Sequence, residues 1–196
     1  MSKVVVTEFV SLDGVMEDPG GSEGSKHGGW TFTFDRSAEG DKFKLDELLA
    51  ADAMLLGRVT YQGFAAAWPT IKDEVGFAEK MNSMRKYVVS STLTDADATW
   101  DNTTVIRGDV VAEVTKLKAQ PGGDLLVEGS AQLARTLIEH NLVDEYRLMV
   151  FPIILGSGKR LYPESASNSI RLTLTSFATT ASGIQMLTFG SAPTDR

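Results

Sequence analysis

The sequence predicts an α/β protein built on a mixed sheet with helices on both of its faces. Three observations carry that prediction. Short β-branched or apolar runs alternate with segments of helical period over about three quarters of the chain. The remainder holds strand runs and no helical segment, so the sheet ends on antiparallel strands. The chain has 196 residues, 42% of them hydrophobic, enough for one substantial core.

Residues 3–10 ("KVVVTEFV") are β-branched and form the first strand. The stretch "EDPGGSEGSKHGGW" that follows is rich in glycine and serine. A loop of that length inside a compact domain is commonly functional. Residues 38–50 place Phe43, Leu45, Leu48 and Leu49 at helical spacing. "AMLLG" (53–57) reads as a buried strand, and 60–67 and 74–84 as helices. "KYVVSS" (86–91) and "TTVIR" (103–107) are strands. "VVAEVTKLKA" (110–119) has helical period and stops at "QPGG". "DLLVEG" (124–129) is a strand and "SAQLARTLIEHN" (130–141) a helix. Strands at 145–155, 169–179 and 183–190 complete the chain, the last two joined by "TASG" as a hairpin. With no repeat and no linker composition, residues 1–196 are expected to form one domain.

The net charge of -7 and pI near 4.9 argue against a general nucleic-acid surface and against anionic membranes. There is no cysteine, which removes disulfides, thiolate nucleophiles and cysteine zinc sites. No H-E-x-x-H or carboxylate–histidine cluster suggests a metal. The N-terminus has one lysine and a brief apolar run broken by Thr7 and Glu8, without the long apolar core of a signal peptide. A cytoplasmic protein is expected.

Three strand ends carry small or polar residues where a helix begins or a loop turns: "GRVT" (57–60), "SST" (90–92) and "GSAQ" (129–132). In open α/β sheets, ligands bind beyond the carboxyl ends of strands, where helix N-termini favour anions. Gly129 permits close backbone approach, and Ser130 can cap a helix; strand, glycine, serine, helix is equally an ordinary capped start. Arg58, with Thr60 as a possible cap, could hold a phosphate bidentately or pair with an acidic neighbour. Ser90 and Ser91 could add hydroxyl donors or simply end a strand in a turn. Together the arginine, threonine and serines suit a phosphomonoester such as an adenosine 2′-phosphate.

"ILGSGKRLY" (154–162) is neither a Walker A loop nor a dinucleotide fingerprint: Ile153 stands where the first needs glycine, and Leu161 where the second does. A glycine-hinged loop beside a ligand remains. No G-x-S-x-G elbow is present. His140 reads as a C-terminal helix residue, and His27 has a functional claim by location in the glycine loop. Asp13 in "SLDGV" could cap a turn or project into a cleft. Trp30, next to the glycine loop, and Trp68, after the "GRVT" helix, could be core or could wall an apolar cleft for a planar ring.

"SLDGV", "LLGRVTY", "KYVVSSTL" and "LLVEGSAQLARTLIEHNLVDEYRLMVFPIILGSGKRLY" together resemble the dihydrofolate reductase-like superfamily. Within it they resemble the reductase domain of the bacterial riboflavin-biosynthesis deaminase-reductase. In order and spacing they cover nearly the whole chain. The resemblance implies a three-layer α/β/α fold, a dihydrofolate reductase-like mixed sheet that is mostly parallel, with NADPH as hydride donor. It implies that Gly57, Arg58 and Thr60 sit by the adenosine phosphates, with Ser90 and Ser91 at the 2′-phosphate and adenine end. Gly129, Ser130, Ala131 and Gln132 would cradle the pyrophosphate. Val10, Ser11, Asp13 and Met16 would approach the nicotinamide. The acid that serves the pterin in dihydrofolate reductases has no match in the glycine loop or "WTFTFD", so folate reduction is not expected. The expectation is a stand-alone NADPH-dependent reductase of a small heterocyclic or conjugated substrate, such as a 5-amino-6-(5-phosphoribosylamino)uracil-type riboflavin precursor. Asp13 or water would supply the proton, and the resemblance suggests a homodimer. The alternative is a cofactor-binding or regulatory protein of the same fold without turnover.

Overall fold

The computed structural model describes residues 1–162 and 169–191; residues 163–168 and 192–196 lie outside the described residues. β1 (Val4–Ser11) opens the chain. The glycine-rich segment and a 3₁₀ turn at Trp30–Thr33 lead to α1 (Ser37–Ala50), which runs directly into β2 (Ala51–Gly57). α2 (Arg58–Ala67), a 3₁₀ turn at Trp68–Thr70, α3 (Phe77–Ser83) and β3 (Arg85–Val89) follow. Then come β4 (Thr103–Ile106), α4 (Val110–Ala119), β5 (Asp124–Glu128), α5 (Ala131–Glu139) and β6 (Glu145–Phe151). The hairpin of β7 (Leu172–Thr179) and β8 (Gln185–Ser191) comes last.

The strands form one sheet in the order β4-β3-β2-β5-β1-β6-β8-β7. β1 to β6 pair in parallel, and β8 runs antiparallel between β6 and β7. The expected mixed sheet is therefore present, and its helices make a layer on each face. The alternation of side chains along a strand sorts the core. Val4 and Val6 of β1, Ala53 and Leu55 of β2, and Leu125 and Val127 of β5 pack toward α4 and α5. Val5, Met54, Leu56 and Leu126 pack toward α1, α2 and α3. Because both faces are covered, the central strands are nearly continuous apolar runs.

Element ends differ from the sequence expectation for local reasons. Ser90 and Ser91 lie beyond β3. β6 stops at Phe151, because Pro152 has no N–H for the ladder. α3 begins late, where the Asp73 carboxylate accepts the N–H groups of Phe77 and Ala78. Among the described residues, no helix is long and apolar enough to cross a membrane.

Tyr61 anchors the α2 layer. It is fully buried, and its hydroxyl accepts the Trp100 N–H at 3.0 Å while lying 3.3 Å from Thr103 Oγ1. Tyr61→Phe leaves that buried N–H unpaired. Denaturant unfolding should show a loss of roughly 1–3 kcal/mol; an unchanged midpoint would show that the hydroxyl carries no such weight.

Candidate active site

The carboxyl ends of β1, β2, β3 and β5 open onto one cleft of about 840 Å³. Its position follows from unequal pairing. β5 accompanies β1 only as far as Thr7 opposite Glu128, then leaves at Gly129. β6 accompanies β1 on to Ser11 opposite Phe151. Beyond Thr7, β1 therefore has an open side, and there Glu8 and Phe9 reach the cleft.

The strand ends of β2 and β5 are tied together at its floor. Ser130 adopts the left-handed conformation, φ 58°, and its hydroxyl accepts the Gly57 N–H at 2.9 Å. The Ser130 N–H donates to Thr60 Oγ1 at 2.9 Å. A Cβ on Gly129 would stand 3.0 Å from Thr60 Cγ2, a tight contact, and the left-handed φ of 61° itself favours glycine. This corrects the capping roles expected from sequence. Ser130 does not cap α5 and Thr60 does not cap α2; the two side chains bind the turns to each other. Among the described residues no side chain caps α2 or α5, whereas Asp109 caps α4. Both uncapped helix starts border the cleft through Gly57, Arg58, Thr60, Ala131 and Gln132.

Arg58 has no carboxylate partner among the described residues; its guanidinium donates to Gln62 Oε1 at 2.9 Å. The acidic neighbour considered for it is thus not found there. Ser90 lines the cleft while its hydroxyl accepts the N–H groups of Thr92 and Leu93, which closes the turn after β3. Ser91 is exposed beside it, also on the cleft.

At the other end the placement departs from expectation. Met16 lines the cleft, but Val10, Ser11 and Asp13 do not. Val10 is buried under α4 and α5. Ser11 donates to Asp13 Oδ1 at 2.6 Å and accepts the Val15 N–H. The Asp13 carboxylate accepts the N–H groups of Leu155 and Gly156, and Arg160 lies 3.6 Å away. Asp13 therefore ties the β1 turn to the segment after β6. The Ser11 hydroxyl, with the Leu155 and Gly156 N–H groups, outweighs partial desolvation and holds its pKa down at about 2. A group so acidic carries no proton at neutral pH. Trp30 is core: its indole N–H donates to Glu17 O, and its ring packs edge-on against Phe151. Phe32, two residues on, is 78% exposed and lines the cleft instead. Trp68 does line it, its ring tilted against Phe77 with centroids 5.3 Å apart. His27 meets Ser157, and His140 turns back onto Thr136 O at the end of α5. Of the glycine-hinged loop, Lys159 reaches the rim, paired with Glu17 at 2.9 Å.

Beneath this end lies a buried charge network that the sequence reading did not single out. The Lys44 ammonium meets Glu47 in an ion pair, Glu128 Oε1 at 3.0 Å and Thr7 Oγ1 at 3.1 Å. Thr7 Oγ1 lies 2.9 Å from both Glu47 oxygens. Glu8 Oε2 accepts the Gly129 N–H at 3.2 Å, and Glu8 Oε1 has no hydrogen-bond partner among the described residues. Burial works against the Lys44 charge, but Glu128 and Glu47 more than reverse this and raise its pKa. Burial raises Glu47, partly opposed by Lys44, and burial with the adjacent Glu128 charge raises Glu8 well above the carboxylate range. One signal was available: an acid inside a β-branched strand needs a reason. Among the described residues, no group of three or more histidine, cysteine or acidic side chains is placed to hold a metal.

The family model described as the RibD C-terminal domain matches residues 2–186. Two uncharacterized proteins of Bacillus subtilis (strain 168) are similar. YyaP is 29% identical over 95% of this chain and 94% of its own length. YwjB is 28% identical over 88% of each. A solved structure from Shewanella sp. PV-4, named for riboflavin biosynthesis, matches with TM-score 0.76 at 19% identity over 98% of this chain and 99% of that one. A pyrimidine reductase-like protein from Corynebacterium diphtheriae matches with TM-score 0.66 at 14% identity over 97% and 92%. At those identities the two structures speak to the fold, and it is the fold described above.

The Asp13 anchor makes a pH-dependent prediction. Its folded-state pKa is depressed, so its stabilisation is complete above the ordinary carboxylate range and is lost as pH falls toward about 2. Asp13→Asn should melt below wild type at neutral pH, and the gap should narrow steadily on acidification. A gap that stays constant with pH would show that the carboxylate charge does not hold this turn.

Proposed function

We propose, from the premise that the chain belongs to the RibD C-terminal domain family, that it is an NADPH-dependent reductase of a small heterocyclic or conjugated substrate. The observation that carries this reading is Arg58. It stands at an uncapped helix start on the cleft, without a carboxylate partner among the described residues, near Ser90 and Ser91. A phosphomonoester supplies the charge that such a set lacks.

The residues fit the rest of the cofactor. Gly129 leaves a turn that a side chain would fill, and the first N–H groups of α5 stand free of side-chain caps for a pyrophosphate. When bound, NADPH would supply a hydride to an electrophilic carbon. Arg58, Ser90 and Ser91 would select the 2′-phosphate; Ala131 and Gln132 would hold the pyrophosphate. The cleft then continues past Met16 to Phe9, Phe32 and Trp68, an apolar wall suited to a planar ring. The names of the two structural neighbours favour a pyrimidine of riboflavin synthesis as that ring.

We also infer a homodimer through β7. This edge strand is exposed along nearly its whole length and presents Phe177 at 70% exposure beside Leu174.

Three measurements test these readings. Arg58→Ala should weaken NADPH binding roughly tenfold to a hundredfold and leave NADH binding little changed. An unchanged NADPH-to-NADH ratio would remove Arg58 from the phosphate site. NADPH binding without oxidation across pyrimidine, pterin and flavin precursors would favour a binding protein over a reductase. Separately, Phe177→Asp should give a monomer in sedimentation analysis; a wild type that already sediments as a monomer refutes the dimer.

A further inference from the structure

The buried network holds one cation and three carboxyl groups. An ammonium has three N–H donors. Those of Lys44 are matched by Glu47, Glu128 and Thr7, so none is left for Glu8. Glu8 is 5% exposed, and among the described residues the single hydrogen-bond partner of its carboxyl is the Gly129 N–H on Oε2. An ionised Glu8 would be a buried charge next to Glu128, with no ion pair of its own to Lys44 among the described residues, because that ammonium already pairs with Glu47 and Glu128. Among the described residues its buried Oε1 has no partner, and Glu8 stands one residue past the last β1–β5 pair, on the lining of the cleft.

We propose that Glu8 is the proton donor of the site, a neutral carboxylic acid that protonates the heteroatom of the bond being reduced. The proposal rests on the reductase reading above and goes beyond it by naming the acid. The expected substrate carries a C=N or C=O bond. As the hydride adds to carbon, the π pair moves to nitrogen or oxygen. That atom takes the Glu8 proton, so the carboxyl O–H bond breaks and an N–H or O–H bond forms. The carboxylate left behind keeps the Gly129 N–H and is neutralised by a proton from water. The groups facing Glu8 are Glu128 at the end of β5, Gly129 just after it, Lys44 and Glu47 of α1, and Tyr162 after β6. Loss of the Glu8 proton leaves three carboxylates about one lysine, so the neutral acid is the resting form. The same crowding of acids disfavours an anionic group on the substrate at this end.

Glu8→Gln keeps an oxygen for the Gly129 N–H and removes the acid. Infrared titration of protein carrying 13C-labelled glutamate carboxyls reads the proton without any substrate. Wild type should show a carboxylic-acid band at neutral pH that Glu8→Gln lacks. Glu8→Leu, of similar volume, is the second variant should the first not fold, and loses the same band. A wild type without the band, or a band that the substitution leaves undiminished, overturns the proposal. With a compound that supports NADPH oxidation, Glu8→Gln should lower kcat roughly a hundredfold or more with the KM for NADPH unchanged. The wild-type kcat should fall as pH rises through the Glu8 pKa, a limb the variant lacks. Equal kcat values overturn the proposal. Failure of wild type to oxidise NADPH with any compound counts against the reductase reading, and the infrared band then decides the state of Glu8 by itself.

Discussion

The Gly57 N–H and the Ser130 hydroxyl meet across the mouths of two strands, and the shape of the cleft depends on that hydrogen bond. It exists because Ser130 is held in a left-handed conformation, a state that costs a side-chain-bearing residue about 1–3 kcal/mol. Three hydrogen bonds offset the strain: from Gly57, to Thr60 and to Glu128 O. Each contributes roughly 0.5–1.5 kcal/mol net. The starts of α2 and α5 are thereby tied to each other, and among the described residues no side chain caps either. A ligand that meets such a floor has little ordering left to do.

The opposite end of the cleft is governed by charge. Replacing a buried ion network with apolar packing is often neutral or stabilising, so stability alone is a weak reason for keeping one. Here it sits under the β1 end of the cleft, with Thr7, Glu8 and Glu128 all on the lining. α1 bends its own pattern to supply it, since the side chains it buries include Lys44 and Glu47. That is why the helix shows so little separation of apolar and polar faces.

The sheet and the order of its elements were legible because period-two and period-3.6 patterns alternate cleanly. The two helix starts were legible because glycine stands at each strand exit. Hydrogen-bond direction was not: "GSAQ" reads as a capped helix, yet Ser130 points its hydroxyl at Gly57. Depth along β1 was not legible either. Where β5 stops determines which β1 residues see the cleft, and no local pattern in β1 records the length of its neighbour. The cleft therefore takes Glu8 and Phe9 rather than Val10, Ser11 or Asp13. The same limit applies to Trp30 and Phe32, which a 3₁₀ turn sends to opposite environments. Lys44 and Glu47 were hidden because a charged pair on a helix ordinarily faces water.

β1 lies between β5 and β6, both made more than a hundred residues after it. During synthesis the strand must wait with no partner of its own. It is a β-branched run with an apolar residue at most positions, the composition that self-associates when left unpaired. Glu8 stands within it. In the unfolded chain that carboxyl is solvated and ionised, and a charge inside such a run keeps it from pairing with copies of itself. One side chain thus answers two needs at different times: it guards the nascent strand while charged, and it enters the finished core by giving up that charge.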